Sequence, residues 1–176
     1  MKTILAFAGS NSSTSINHQL VLYAAAKLLK HQAKVIRLTD YPLPLFGEDL
    51  EKIEGYPKLL HELLQEIKTA DALMVSVNEH NGTVSAFFKN TLDWLSRIEY
   101  KFLQGKKVFL MSTSDGKRGA LSALEYVEGV LPRFGCDTVF TFRLPMFTTN
   151  FKEGKLIDVA LQQEIEQEIW EFENSI

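Results

Sequence analysis

Between the apolar run ILAF and a helical-looking stretch, residues 7–17 read FAGSNSSTSIN, with five hydroxyl side chains and two amides in a single turn. Such a turn could hold an anion. A helix start leaves backbone N–H groups unpaired, the aligned peptide dipoles put partial positive charge there, and Ser, Thr and Asn side chains add neutral donors. The same residues also make a plain N-cap with a polar turn, since Ser, Thr and Asn are the commonest caps. One cap needs one such residue, and this turn offers seven. A lysine-bearing mononucleotide loop is excluded, because Gly9 is followed by Thr14 and Ser15 with no lysine. A GxGxxG dinucleotide turn is excluded as well, because the turn has one glycine.

Two further segments share this character, VNEHNGTVS at 77–85 and MSTSDGKRG at 111–119, and each follows an apolar run. In the first, Asn78, Glu79, His80, Asn81 and Gly82 can turn backbone N–H and C=O groups toward a flat polar ring, with Asn81 and Gly82 suited to positive φ. In the second, Gly116 and Gly119 let the backbone approach a ligand closely. Lys117 and Arg118 read as a solvated charged turn. His80 is either a rim contact or an exposed loop histidine. As a metal ligand it has no company, since His18, His31 and His61 fall elsewhere, and no metal site is expected. Ser10 lacks the G-x-S-x-G setting of a hydrolase nucleophile.

The elements that must carry these loops alternate. Strands are expected at Lys2–Ala8, Val35–Leu38, Ala72–Val77, Val108–Ser112 and Asp137–Phe142. Helices are expected at Ile16–Leu29, Tyr56–Thr69, Ser85–Arg97, Ala120–Leu131 and Asp158–Glu173. Inward faces are assigned to Leu20, Ala24 and Leu28 on the first helix and to Leu59, Leu60, Leu63, Leu64 and Ile67 on the second. Phe87, Leu92 and Leu95 form a buried or intersubunit stripe, with Trp94 open to either role. Two irregular stretches remain, YPLPLFGEDLEKIEGYP and RLPMFTTNFKEGKL; a connection as long as the first is more often functional than idle. Apolar strands separated by helices imply a parallel sheet covered on both faces, with right-handed crossovers. Ligands of such sheets sit at the carboxyl ends of strands, where all three unusual segments fall.

Composition narrows the field. At 176 residues and 20.0 kDa the chain is the size of one domain, read as 1–176. A formal charge of -3 argues against nucleic-acid binding as the main task. A single cysteine, Cys136, excludes an internal disulfide and reads as a small buried hydrophobe. KTILAFAG is too short for a signal peptide and no run reaches a membrane span, so the expected compartment is the cytoplasm, with no membrane partner.

The residues resemble a family, the NAD(P)H-dependent FMN reductases and quinone reductases of flavodoxin-like fold. Gly9, Ser10, Ser12, Ser15 and Asn17 are similar to that family's GSxRxxSxN. Glu79, Asn81, Lys89, Asn90, Asp93, Trp94, Ser96 and Arg97 are similar to its PEYNxxxPGxLKNxxDWxSR. STSDGKRG resembles its serine- and glycine-rich loop after the fourth strand, and the likeness runs to about residue 142. It implies a three-layer α/β sandwich with a five-stranded parallel sheet of order 2-1-3-4-5. It also implies noncovalent FMN, with Ser10, Ser12, Ser15, Ile16 and Asn17 at the phosphate, Asn78, Glu79, His80, Asn81 and Gly82 along the ring, and Ser114, Asp115 and Gly116 on the other side. No side-chain acid or base is required: NADH or NADPH gives hydride to flavin N5, and a quinone, free flavin, nitro or azo compound or similar acceptor takes the electrons in a ping-pong cycle. A homodimer, or a tetramer, is implied too. The chain departs from the pattern at Ser12 in place of Arg, His80 in place of Tyr, Asn78 in place of Pro, and Ser85-Ala86 in place of Pro-Gly. The alternative function is an FMN-binding electron carrier or redox-sensing module without a substrate of its own.

Overall fold

The computed structural model describes residues 1–176. In chain order the elements are β1 (Thr3–Ala8), α1 (Ile16–Ala25), β2 (Gln32–Val35), α2 (Glu48–Glu54), α3 (Lys58–Thr69), β3 (Ala72–Val77), β4 (Glu79–His80) and β5 (Thr83–Val84). Then follow α4 (Ala86–Ile98), β6 (Lys107–Thr113), α5 (Leu121–Val130), β7 (Thr138–Leu144), α6 (Phe147–Asn150), β8 (Phe151–Lys152), β9 (Lys155–Leu156) and α7 (Val159–Ser175). The main sheet runs β2-β1-β3-β6-β7, every neighbouring pair parallel. With the two hairpins set aside this is the expected 2-1-3-4-5 order.

Side-chain alternation along the strands builds the three layers. Leu5, Phe7, Leu73, Val75, Val77, Val108 and Leu110 point to one face and pack with α3, α4 and α5. Ile4, Ala6, Ala72, Met74, Phe109, Met111 and Phe142 point to the other and pack with α1 and α7. Central strands buried on both faces are mostly apolar, as β3 is apart from Ser76. Trp94 belongs to the first cluster, with no exposure, and its indole N–H donates to the Pro44 carbonyl at 2.8 Å.

Three departures from expectation concern β2, α1 and the long connection. β2 lies at 32–35 and not 35–38: it is an edge strand with mostly exposed side chains, so the apolar residues Ile36 and Leu38 belong to the turn after it. α1 ends at Ala25, four residues before Leu29, where the Glu173 carboxylate accepts the N–H groups of Leu29, Lys30 and His31. The long connection at 41–57 contains α2 and is pinned to α4: Asn90 bonds Phe46 N–H and the Pro44 carbonyl, and Arg97 pairs with Glu51 at 2.9 Å. Cys136 is buried without a disulfide, and burial pushes its thiol up to about 11.

Candidate functional site

The ends of β1, β3 and β6 open onto one cleft of about 270 Å³. Ten of the residues expected there line it: Ser10, Ser12, Ser15, Ile16, Asn17, Asn78, Glu79, His80, Ser114 and Asp115. Asn81, Gly82 and Gly116 stand outside the lining, while Asn11, Thr14 and Thr113 belong to it. Asn11 and Thr14 were within reach of the sequence, inside the polar turn itself; Thr113 extends its strand one residue past the expected end.

The turn after β1 is built from its own side chains. Ser10 Oγ accepts from Ser12 N–H, Ser12 Oγ accepts from Thr14 N–H, and Ser15 Oγ caps α1 by accepting from His18 N–H at 3.1 Å. A hydroxyl carries one donor beside its acceptor lone pairs, so these bonds leave the O–H of Ser10 and Ser15 available to a ligand. The first-turn N–H groups of Ile16 and Asn17 have no acceptor in the chain, as the geometry of a helix start requires. The plain cap and the anion site are therefore both present: Ser15 is the cap, and the remaining donors face the cleft.

Asn17 holds the floor. The residue is 2% exposed: Oδ1 accepts from Ser76 Oγ at 2.7 Å and Thr113 N–H at 3.2 Å, and Nδ2 donates to the Thr113 carbonyl at 3.2 Å. It ties α1 to β3 and β6 and leaves its backbone N–H for a ligand.

The second wall is a hairpin that the sequence showed only as a loop. β4 and β5 pair antiparallel across the two-residue turn Asn81-Gly82, whose φ values of 52° and 78° are both left-handed. The expected positive φ is there, and its use is to reverse the chain. Glu79 reaches sideways: its Oε2 accepts from Ser122 N–H at 3.0 Å and Ala123 N–H at 3.3 Å, capping α5, whose own N-cap position is Ala120. An anion at a helix start is favourable there. We expect Glu79→Ala to lower stability by about 1 kcal/mol in chemical denaturation, with Glu79→Gln losing less because it keeps an acceptor.

Asn78 Nδ2 lies 3.1 Å from His80 Nε2, and Asn78 Oδ1 is a buried side-chain polar atom with no partner in the chain. An orphaned acceptor at a cleft wall fits a ligand carrying an N–H group. On the third wall Ser114 Oγ accepts from Gly116 N–H, and Asp115 accepts from the Thr148 hydroxyl and N–H. Those bonds, the hydroxyl first, hold the Asp115 carboxyl below its usual range. Gly119 approaches the chain's own backbone, where a Cβ would lie 2.9 Å from Leu144 O and Pro145. Lys117 and Arg118 lie outside the lining, and Arg118 turns to Ser122 on α5. The arrangement can take a phosphate at the α1 end and a flat ring with donors and acceptors along its edge beside the hairpin.

Comparison with known proteins agrees with this chemistry. Residues 2–145 match the model of a family described as NADPH-dependent FMN reductase. The chain is 31% identical over 172 residues to an NADPH:quinone oxidoreductase of Arabidopsis thaliana, covering 93% of this chain and 86% of that one. It is 32% identical over 89 residues to a quinone reductase of Escherichia coli, covering 51% and 47%. The matches span about half the length of the first curated relatives, 57% and 47%. The fold is also that of the flavoenzyme NAD(P)H:(acceptor) oxidoreductase FerB of Paracoccus denitrificans, with TM-score 0.78 at 23% identity over 99% of this chain and 96% of that one.

Proposed function

The chain belongs to the NADPH-dependent FMN reductase family, and from that premise we propose that it is an FMN-dependent oxidoreductase that takes hydride from NADH or NADPH and reduces a quinone, free flavin, nitro or azo compound. The observation that carries this reading is the meeting of three strand ends at one cleft whose donors are unspent on the α1 side. FMN, when bound, supplies the redox chemistry, accepting hydride and passing electrons on. The chain's residues bind and orient it. Ser10, Ser12 and Ser15 hydroxyls and the Ile16 and Asn17 N–H groups hold the phosphate, and the 78–82 hairpin flanks the ring with Asn78 Oδ1 as an acceptor. Ser114 and Asp115 close the other side, fixed by their bonds to Gly116 and Thr148.

One domain over 1–176 suffices for this site. The protein works as a homodimer, or a tetramer built from it. Leu45 and Ile53, 81% and 82% exposed within the connection pinned to α4, support an interface there. We place the protein in the cytoplasm.

The test is direct. The purified chain, loaded with FMN, is expected to lose its yellow absorbance with NADH or NADPH under anaerobic conditions and to regain it on adding a quinone. A chain that binds no FMN at micromolar concentration overturns the reading; one that binds FMN but ignores both nucleotides overturns the reductase assignment.

A further inference from the structure

The cleft presents an unbalanced charge. Its lining contains two carboxylates, Glu79 and Asp115, and no lysine or arginine. A phosphate monoester brings roughly two negative charges near neutral pH. Hydroxyls and N–H groups supply dipoles toward it, and no formal cation among the lining residues offsets it.

A cation lies beside the same turn. Ser10, Ser12 and Ser15 also line a narrow crevice together with His18, Arg37 and Thr39. The three serines thus line two spaces at once, the cleft and a crevice to which Arg37 contributes. Sheet topology places Arg37 there. β2 lies parallel to β1, Ala6 is paired with Val35, and Ile36 N–H donates to the Ala6 carbonyl at 2.9 Å. The chain leaving β2 therefore emerges beside the turn that leaves β1. Arg37 is exposed and takes part in none of the ion pairs of the chain. His18, the other basic group of the crevice, is held toward its neutral form by burial and then by the charge of Arg37.

We propose that Arg37 is the counter-charge of the cofactor phosphate, a binding residue that makes this site select a phosphorylated flavin over the same flavin without phosphate. The inference rests on the reading of the cleft as an FMN site. A free guanidinium is always charged and is drawn to phosphate oxygens, and at a partly solvated site its attraction survives screening by moderate salt in part.

Titration of the cofactor-free protein with FMN and with riboflavin, followed by quenching of flavin fluorescence, tests this without turnover. Arg37→Ala is expected to weaken FMN about tenfold, to leave riboflavin unchanged, and to flatten the salt dependence of FMN binding; Arg37→Lys is expected to recover most of the loss. Arg37 is exposed, so an unchanged thermal unfolding curve is expected of both variants. Equal FMN affinity in wild type and Arg37→Ala, or an equal loss for riboflavin and FMN, overturns the inference and leaves the FMN reading standing. If the wild type binds neither flavin, the reading of the cleft fails and takes this inference with it. A change confined to NADPH over NADH, with FMN affinity intact, would assign Arg37 to the donor's phosphate and overturn the proposal as stated.

Discussion

Asn17→Ala is expected to destabilise the protein by about 3–5 kcal/mol, because one truncation leaves several buried groups unpaired at once. The side chain accepts from Ser76 Oγ and Thr113 N–H and donates to the Thr113 carbonyl, all within the core edge below the cleft. An unmade buried hydrogen bond costs more than a made one gains, since the partner has already lost its water. Asn17→Asp is expected to fail as well: it keeps the two accepted bonds but sets a carboxylate oxygen against the Thr113 carbonyl and buries a charge. Chemical denaturation measures both. The network origin of the loss is tested by Ser76→Ala, which should cost less in the Asn17→Ala background than in wild type, because its hydroxyl has then already lost its acceptor. Additive losses, or a loss below about 1 kcal/mol for Asn17→Ala, would mean that this side chain does not hold the floor. FMN affinity should fall with it, since α1 carries the phosphate donors and Asn17 ties α1 to β3 and β6.

How much of this was legible follows from where each residue's job is done. The central strands announced themselves, because burial on both faces demands continuous apolar side chains; Ala72–Val77 is found where expected. The edge strand did not. Gln32–Val35 buries little, so nothing in QAKV distinguishes it from a loop, and the apolar VIRL nearby drew the assignment three residues too far. α2 escaped for the same reason: EDLEKIE buries no residue, and its glycine boundaries at Gly47 and Gly55 are equally the marks of a loop. Local spacing made two features legible, the polar turn and the positive φ of Asn81 and Gly82. Site chemistry was not legible where long-range contacts reassign a side chain. Glu79 caps a helix that begins more than forty residues later, and Asn17 spends its amide on Thr113. Arg37 carried no motif at all; only the β1–β2 pairing brings it beside the serine turn.

Gly9→Ala is expected to cost about 2–3 kcal/mol, through contact and not through backbone strain. Gly9 links the end of β1 to its neighbours: its N–H donates to the Ser76 carbonyl and its carbonyl accepts from Ser85 Oγ, both at 2.8 Å. Ser85 in turn caps α4 by accepting from Phe88 N–H at 3.1 Å. A Cβ at position 9 would lie 2.7 Å from Phe88 Cγ, 2.8 Å from Cδ2 and 3.1 Å from Cβ. Turning the ring cannot clear a clash that includes its own Cγ and Cβ, and Phe88 is 3% exposed with no room to withdraw. The start of α4 or the end of β1 must therefore shift, and Ser10 is the next residue along. Flavin affinity is expected to fall together with stability for that reason. Phe88→Ala removes the two closest atoms while opening a cavity, so the double variant Gly9→Ala/Phe88→Ala should be more stable than the sum of the single losses predicts. Gly129→Ala is the matching control: within α5, with no atom near the added methyl, it should raise stability by about 0.5–1 kcal/mol. If Gly9→Ala proves neutral while the control behaves as stated, Phe88 does not pack against position 9, and the β1–α4 contact that sets the height of the serine turn is placed wrongly.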